Sequence, residues 1–323
     1  MRRLNYYRRI FSSYLRPKTS QLEFWHETPD VNEEAVMDRL GPYYMSFTSK
    51  ANYSGPYDSD GIPLLDYKGV IGLQYNPIAI AQYGLGNYNV FVEHGELASR
   101  DKFLLAAEWL VDNLVENEHT VWVWQHYFDW DYRTNLEAPW HSGLAQGQGL
   151  SLLVRAYSET QDEKYIIAAS KVFSSFYVST DCGGVVHVDA EGYKWIEEYI
   201  VSPPTHILNG FIWSVWGLYD YFVATRDRKA EKLFGIFVNT LSHNLKDYDV
   251  GYWSLYEQSG TKLSMLASPF YHSLHIVQLR ILHNMTNLMI FEEYASRWEL
   301  YKRSVLRRYL AFIYKALFKL LYY

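Results

Sequence analysis

Two carboxylates and a phenol stand side by side at Glu197, Glu198 and Tyr199, just ahead of a Pro-Pro turn at residues 203–204. A helical pattern begins soon afterwards, at Ile207. Carboxylates and phenols donate or accept protons when a reacting atom is held beside them. Packing explains such a polar cluster at a helix start poorly. The segment is therefore a candidate catalytic element.

Two further tyrosines have polar neighbours. Tyr256 is followed by Glu257, and Tyr271 is followed by His272. An unperturbed tyrosine has a pKa of ~10, so it acts as a base only where cations or hydrogen bonds favour the phenolate. As an acid, a positioned phenol is well matched to a carbanion. We therefore treat Tyr199, Tyr256 and Tyr271 together as candidate acid–base groups.

Candidate metal ligands are weaker. His272 and His275 share a helix face at a spacing compatible with a metal, but no third ligand is evident, so we expect packing or sugar contacts for both. The run Asp58-Ser59-Asp60-Gly61 resembles the start of a calcium loop and lacks the distal Glu. We expect a turn there and no metal.

The composition is that of a globular protein, and its aromatic residues suit either an aromatic-rich helical core or the binding of sugars. The 323 residues are 49% hydrophobic, 20% charged and 18% aromatic, with 30 Tyr and 11 Trp. Amphipathic rings beyond the needs of a core suit stacking against pyranose rings. A net charge of −6 argues against nucleic acid, while a local basic patch can still bind an anionic polysaccharide. The single Cys182 excludes an intrachain disulfide and fits a reducing compartment.

The two termini are basic and carry separate predictions. Residues 1–18 start like a signal peptide but lack an apolar stretch of useful length, so we expect no cleaved signal and a cytoplasmic protein. Residues 301–321 alternate basic and apolar side chains. A basic amphipathic helix of this kind predicts peripheral contact with an anionic membrane. The alternative is a final helix that docks on the body of the protein with its cations in water.

Apolar residues at helical spacing dominate from Tyr75 onward, whereas residues 1–70 favour short strands and turns. The helices are expected at 78–85, 96–115, 140–158, 162–176, 207–224, 229–245, 271–284 and 288–321, the last one broken. Extended structure is expected at 120–127, 183–188 and 251–256. Successive helical hairpins with β excursions at one end predict a mainly α fold, an α/α toroid or incomplete α/α barrel. We place an N-terminal extended segment at 1–70 and the barrel domain, with its basic C-terminal helix, at 71–323.

The 140–158 helix is unusual in its glycines, at positions 143, 147 and 149. Glycine inside a helix is unfavourable by about 1 kcal/mol relative to Ala. It is tolerated where another backbone or a ligand comes close, and the sequence leaves both explanations open.

Several segments together resemble the C-terminal domain of D-glucuronyl C5-epimerases, which convert glucuronate to iduronate within heparosan and heparan-type chains. The resemblance is carried, in order, by residues 74–85, 138–157, 195–211, 209–220, 256–257 and 267–276, and it covers about residues 40–305. It implies an isomerase, with Tyr199, Tyr256 and Tyr271 at positions of catalytic tyrosines and Glu198 at that of an essential carboxylate. Tyr199 or Glu198 would serve one face of the sugar, and Tyr256 or Tyr271 the other.

One departure from the family concerns charge. In the animal enzymes a catalytic arginine lies three residues beyond the tyrosine that matches Tyr256, and Ser259 stands there in this chain. Another cation must then pair with the substrate carboxylate. The candidates in family segments are Arg133 and Arg155, followed by Lys262. Other residues proposed to bind substrate are Gln146, Gln148, Trp140, His206, His272 and Asn209.

The resemblance implies an anionic, uronate-containing polysaccharide as partner and no organic cofactor. A calcium ion and a homodimer follow only by analogy with relatives. Three other functions remain open at this point. A lyase would share C5 proton abstraction and then eliminate at C4. A glycoside hydrolase would need two carboxylates, such as Glu197 or Glu198 with Asp249 or Glu257. A polysaccharide-binding protein without activity would explain the missing arginine.

Overall fold

The structure is a computed structural model that describes residues 24–26 and 28–322. Residues 1–23 of the predicted N-terminal segment, which include the signal-like stretch, lie outside the described residues. The helices are α1 (Thr48–Ala51), α2 (Pro77–His94), α3 (Leu97–Asp112), α4 (Gly143–Thr160), α5 (Glu163–Ser174), α6 (Leu208–Thr225), α7 (Arg228–Asn244), α8 (Pro269–Thr286), α9 (Met289–Arg303) and α10 (Val305–Tyr322).

Short antiparallel strand pairs decorate the helices. They are β1 (Leu65–Asp66) with β2 (Leu73–Gln74), β3 (Val115–Glu116) with β4 (Trp122–Val123), β5 (Gln125–His126) with β8 (Trp140–His141), β6 (Trp130–Asp131) with β7 (Asn135–Leu136), and β9 (Val186–Val188) with β10 (Lys194–Ile196). Each pair lies in a connection that precedes α2, α4 or α6.

The helices form an inner and an outer layer. Helices α2, α4 and α6 are buried over most of their circumference and pack side by side in that order, and α6 then packs on α8. Helices α3, α5, α7 and α9 pack on the outside of α2, α4, α6 and α8 respectively. A helix that is apolar all round belongs in the interior, whereas one apolar stripe suits the outer layer. The predicted α/α toroid, an incomplete barrel, is thereby confirmed.

The two ends of this toroid differ in loop length. Each inner helix ends at a residue in the left-handed conformation and joins its outer partner through only two residues. The left-handed residues are Gly95, Gln161, Arg226 and Asn287, with φ of 70°, 58°, 57° and 57°. The long connections 113–142, 175–207 and 245–268 all return from an outer helix to the next inner one. They therefore gather at the end where inner helices begin.

The glycines of α4 are explained by helix packing. A Cβ at Gly147 would collide with the backbone of Ser214 in α6, and a Cβ at Gly217 would collide with the backbone of Gly147. A Cβ at Gly143 would lie 2.6 Å from the carbonyl oxygen of Glu197. Close approach of another backbone, one of the two explanations that the sequence left open, is therefore supported at Gly143 and Gly147, whereas a Cβ at Gly149 would collide with the ring of Trp124.

Three local predictions need comment. Helix α2 continues through residues 86–87 to His94, so the predicted end at Leu85 is wrong. Glycine fits at position 86 because a Cβ there would lie 3.0 Å from the backbone nitrogen of Ala51 in α1. Residues 251–256 form isolated bridges instead of a strand. The predicted break in the last helix falls at Ser304, between α9 and α10.

Candidate functional site

The long-loop end of the toroid brings the candidate catalytic residues together. Glu198 and Tyr199 follow β10 and precede α6, Tyr256 lies in the connection before α8, and Tyr271 lies in the first turn of α8. Ser268 caps α8 by accepting a hydrogen bond from the Tyr271 amide at 3.2 Å, which fixes where that tyrosine starts. Residues far apart in sequence therefore meet beside the N-termini of two inner helices.

Glu198 and Tyr199 form one half of this cluster. The Tyr199 hydroxyl acts on the Glu198 carboxyl group, whose pKa it lowers. The same carboxyl packs against Gly210 of α6, where a Cβ would lie 2.9 Å from the Glu198 Cβ. Among the described residues, Oε2 of Glu198 has no hydrogen-bond partner. Glu198 is thus packed against the start of α6 with one buried oxygen that has no hydrogen-bond partner among the described residues.

Burial sets the protonation of these groups. It raises the pKa of Glu198 from 4.5 to about 8, with the charges of Glu257 and Glu197 acting in the same direction and the Tyr199 hydrogen bond opposing them. Burial also raises the pKa of Tyr199 well above 10, and the Glu198 charge adds to the rise. At neutral pH both groups carry their protons, so this half of the cluster can donate.

Tyr256 and Tyr271 form the other half. Their ring centroids are 4.8 Å apart, with the ring planes at 62° to each other. Burial raises the pKa of each, followed by the charge of Glu198. The influence of Glu198 on both phenols shows that the two halves share one electrostatic environment.

A cation lies next to the cluster. Arg133 directs Nε and Nη2 at a single oxygen of Glu257, with Nε at 2.5 Å, and the Tyr132 hydroxyl donates to the other oxygen. The ring of Tyr132 lies 4.5 Å from that of Tyr199, centroid to centroid. Arg133 retains 16% exposure, while Glu257 has none. The Arg133 guanidinium is therefore the cation that the loop end of the toroid places beside the candidate catalytic tyrosines.

The other two candidate cations lie elsewhere. Lys262 is exposed. Arg155 is fully buried in a bidentate pair with Asp220, at 2.7 and 3.1 Å, and also donates to the carbonyl of Gly41. Its hydrogen-bond partners Gly41, Ser151 and Asp220 belong to the core between α4, α6 and the segment around Tyr44. The structure does not bring Arg155 to the tyrosines. Ser259 lies in the loop with its hydroxyl 3.3 Å from that of Thr261.

Glu197 supports the loop that carries the site. One of its carboxylate oxygens accepts from the backbone amides of Thr205 and His206, and the other contacts His206 Nδ1 at 2.5 Å. The His206 ring stacks on Trp195 with centroids 4.5 Å apart. Glu197 and His206 thereby fix the turn between Tyr199 and α6. This role leaves Glu197 poorly suited to be one of a hydrolytic carboxylate pair. Asp249 is engaged as well, with Arg297 at 3.2 Å.

The remaining predicted substrate-binding residues divide into two groups. Trp140 is in the cluster, with its ring 5.7 Å from Tyr199, and Asn209 lies at the start of α6 with Oδ1 unpartnered among the described residues. Gln146 bonds to backbone groups of β4 and Trp124, and Gln148 donates to Tyr43. His272 stacks on Trp253 and contacts the carbonyl of Trp298. The last three serve core contacts, away from the tyrosines.

Two neighbours of the cluster were not predicted. Tyr132 connects Glu257 to the ring of Tyr199, and its position next to Arg133 in sequence was the available signal. Phe318 of α10 is fully buried against Tyr256, Ile207 and Met265, with the Arg133 guanidinium 5.7 Å from its ring centroid. Nothing in the sequence of a C-terminal helix indicated a contact with the site.

No group of three or more His, Cys, Asp or Glu side chains suited to a metal ion occurs within residues 24–26 and 28–322. The run at Asp58 forms a turn, as predicted: its Oδ1 accepts from the amides of Asp60 and Ile62, at 2.9 and 2.8 Å.

Several known proteins are similar in sequence to this chain. The sequence profile of the D-glucuronyl C5-epimerase C-terminus matches residues 116–300, more than half of the chain. A D-glucuronyl C5-epimerase of Caenorhabditis elegans is 31% identical over 212 residues, which are 61% of this chain and 34% of that protein. An uncharacterized protein of Methanocaldococcus jannaschii is 30% identical over 186 residues, 57% of this chain and 59% of that one. The chain spans less than two thirds of either relative.

Solved structures show weaker similarity. The unsaturated glucuronyl hydrolase of Bacillus sp. GL1 aligns with a TM-score of 0.47 at 14% identity, over 69% of this chain and 61% of that one. A family 76 glycoside hydrolase (mannosidase) of Bacteroides thetaiotaomicron aligns with a TM-score of 0.45 at 11% identity, over 73% and 61%. Such scores carry no functional inference. The profile match does: this chain belongs to the D-glucuronyl C5-epimerase family, through the C-terminal region of those proteins.

Proposed function

We propose that this protein is a polysaccharide uronate C5-epimerase, which converts D-glucuronate to L-iduronate residues within a heparosan-like chain. The observation that supports it most is the convergence of Glu198, Tyr199, Tyr256 and Tyr271 in a single buried cluster of a chain that belongs to the family. The four come from two separate connections and the start of α8, and packing alone does not require their proximity.

The proposed reaction moves one proton off and another onto C5. A base takes the C5 proton from one face, and the electron pair of the broken C–H bond spreads into the adjacent carboxylate. An acid on the opposite face then protonates C5 and inverts its configuration, with no change at C4 or at the glycosidic bond. Glu198 or Tyr199 serves one face and Tyr256 or Tyr271 the other.

Negative charge grows on the substrate carboxylate during this reaction. A cation held close to the reacting carbon stabilises that charge most when water is excluded. Arg133 is the proposed cation in place of the arginine that Ser259 replaces. Its pairing with Glu257 orients the guanidinium, and its partial exposure leaves it accessible to a ligand.

The test is to incubate the protein with heparosan in deuterated water and to examine the polymer by NMR. Deuterium at C5 together with iduronate signals is the expected result. An unsaturated uronate would instead identify a lyase, and shorter saturated chains would identify a hydrolase. A polymer that is bound but unchanged would contradict an enzymatic role on this glycan.

Tyrosine variants test the residues. Tyr199→Phe, Tyr256→Phe and Tyr271→Phe should each reduce the exchange rate by about 100-fold or more, since general acid–base groups contribute about 10²–10⁴-fold. Tyr44→Phe is a matched control, because Tyr44 is also buried and donates to a carboxylate, Asp220, at 2.6 Å. It should lower stability by about 1 kcal/mol and leave exchange per folded molecule unchanged. Near-normal exchange in all three site variants would contradict the assigned roles.

A further inference from the structure

Helix α10 is apolar on two opposite sides. Its inner side carries Ala311 and the fully buried Phe318, seven residues apart, and these pack on the body of the protein. Its outer side carries a stripe at helical spacing of largely exposed side chains. They are Leu306, Tyr309, Ile313, Leu317 and Leu320, flanked by Val305, Leu310, Phe312 and Leu321. A helix that is apolar on both sides needs a partner on each, because large exposed apolar patches mark interaction sites.

Polar contacts fix which side faces outward. The Tyr314 hydroxyl accepts a hydrogen bond from the Ser264 amide at 3.1 Å, and Lys315 Nζ donates to the carbonyl of Leu266 at 2.7 Å. Both anchors join α10 to the loop that carries Tyr256. The outer stripe therefore points away from the toroid while the helix remains attached at the site end.

The charge around the stripe has one sign. Helix α10 contains four Lys or Arg residues, at positions 307, 308, 315 and 319, and no Asp or Glu, although the whole chain has a net charge of −6. Lys315 donates to the Leu266 carbonyl and the Arg307 guanidinium lies 4.5 Å from the Tyr301 ring centroid, whereas Arg308 is exposed. Lys302 and Arg303 end the preceding helix. A second copy docked by a twofold axis would place these cations opposite one another. Residues 1–22 also contain six Lys or Arg and no acidic residue, so the chain's own N-terminus is a poor match for the stripe.

We infer that the outer face of α10 docks on an anionic lipid bilayer. The apolar stripe enters the boundary between headgroups and acyl chains, and the exposed Arg308 at the margin of the stripe contacts the headgroups, as expected for a helix that lies in the interfacial plane. No helix within residues 24–26 and 28–322 combines the length and the apolarity needed to cross a bilayer. Because α10 covers the loop end of the toroid, docking places the tyrosine cluster beside the lipid surface.

The experiment is flotation of the full chain with phosphatidylcholine vesicles that contain about one third phosphatidylglycerol, against vesicles of phosphatidylcholine alone. We expect binding to the anionic vesicles, which falls as salt rises from about 0.1 M to about 1 M because screening weakens the headgroup contacts. Binding to neither vesicle type, or equal binding to both, would overturn the inference.

Matched variants locate the contact. Leu306→Ser with Phe312→Ser should weaken partitioning by about a hundredfold, since each buried apolar side chain contributes about tenfold. Leu97→Ser is the control, because Leu97 is 69% exposed at the start of α3 and Leu306 is 70% exposed at the start of α10. Arg308→Ser should weaken binding about fivefold, and the exposed Arg228→Ser should not.

Two results would contradict the assignment to α10. Partitioning that survives the double substitution would place the lipid contact elsewhere in the chain. Concentration-dependent dimerisation of the wild type in sedimentation velocity, lost in the double variant, would show that a second copy covers the stripe. Neither result depends on epimerase activity, so the inference and the proposed function can fail separately.

Discussion

Two buried arginine–carboxylate pairs occupy different places in the toroid. Arg155 and Asp220 join α4 to α6 in the core, where 1% and 0% of their side chains are exposed and Tyr44 adds a further hydrogen bond. Arg133 and Glu257 join two loops at the end of the toroid, with Arg133 exposed to 16% and Tyr132 as the third member. Both pairs join an arginine to a carboxylate, through two oxygens of Asp220 in the core and through one oxygen of Glu257 in the loops. The two pairs differ in how far the arginine is exposed to solvent and in which side chains lie beside it.

The comparison teaches that an arginine pair indicates function only through its surroundings. Asp220 and the carbonyl of Gly41 are partners that restrain Arg155, and its neighbours are helices packed against each other. Glu257 engages Arg133 through a single oxygen, and a buried carboxyl and three phenols lie alongside. The core pair is suited to hold helices in register, and the loop pair to meet a ligand.

The largest effect should come from breaking the core pair. Asp220→Asn leaves the Arg155 charge buried without a counter-ion and should lower the free energy of unfolding by about 3–5 kcal/mol. Urea denaturation measures this loss. Glu159→Gln is the control, since Glu159 pairs with Arg100 at 2.7 Å but both are 25–31% exposed. It should cost less than about 1 kcal/mol. Equal losses would contradict the structural role assigned to the core pair.

Breaking the loop pair should affect activity more than stability. Arg133→Gln should reduce C5 exchange by about 100-fold, equivalent to about 2.7 kcal/mol, because the growing carboxylate charge loses its cation. Exchange is measured by NMR at a temperature where the variant is folded. Lys262→Gln, which removes an exposed cation of the nearby loop, should change the rate less than about twofold. The opposite ranking would transfer the role from Arg133 to Lys262.

The pKa of Glu198 predicts a pH dependence of stability at the loop end. The folded pKa of about 8 lies above the ordinary 4.5, so the folded state holds this proton more tightly than the unfolded chain. The contribution of Glu198 to stability is therefore present below pH 4.5 and is lost as pH rises to about 8. The slope is at most about 1.4 kcal/mol per pH unit. Unfolding measured across this range should show the slope in the wild type and not in Glu198→Gln.

The same titration assigns a direction to the chemistry. Exchange that falls about tenfold per unit above pH 8 identifies Glu198 as the group that delivers a proton. Exchange that falls below pH 8 identifies it as the base. A rate with no dependence on Glu198 protonation would exclude it from both roles.

The smallest effect should come from Gln148, a proposed substrate-binding residue that the structure places with the core pair. Gln148→Leu removes a hydrogen bond to Tyr43 and should lower stability by about 1 kcal/mol. The KM for the polysaccharide should not change, because the side chain is fully buried. A raised KM without loss of stability would return Gln148 to the substrate site.

Much of the helical order could be predicted from apolar spacing, because it depends on neighbours within one helix. The end of α2 was missed since Gly86 looked like a terminator, and only contact with α1 shows why a glycine continues the helix there. The four left-handed residues that follow the inner helices could not be predicted either, because four different residue types, Gly, Gln, Arg and Asn, occupy equivalent positions. A structural repeat can thus exist without a sequence repeat.

The candidate site was predictable in part. Glu198, Tyr199, Tyr256 and Tyr271 were found from local polar context and family resemblance, and the structure gathers them. Their catalytic roles stay predictions. Arg133 and Arg155 were indistinguishable in sequence, since the sequence made both of them candidates. The one signal for Tyr132 was its place next to Arg133, and Phe318 had no local signal that connected it to the site.

By itself, the sequence determined the helices, their apolar faces, the family and the four candidate catalytic residues, because each depends on residue types at short or matching spacings. Only the tertiary structure decided which arginine lies beside the tyrosines, what the glycines of α4 contact and which face of α10 is exposed. Those outcomes depend on contacts between residues tens to hundreds of positions apart, and no local pattern encodes which partner lies across the interface.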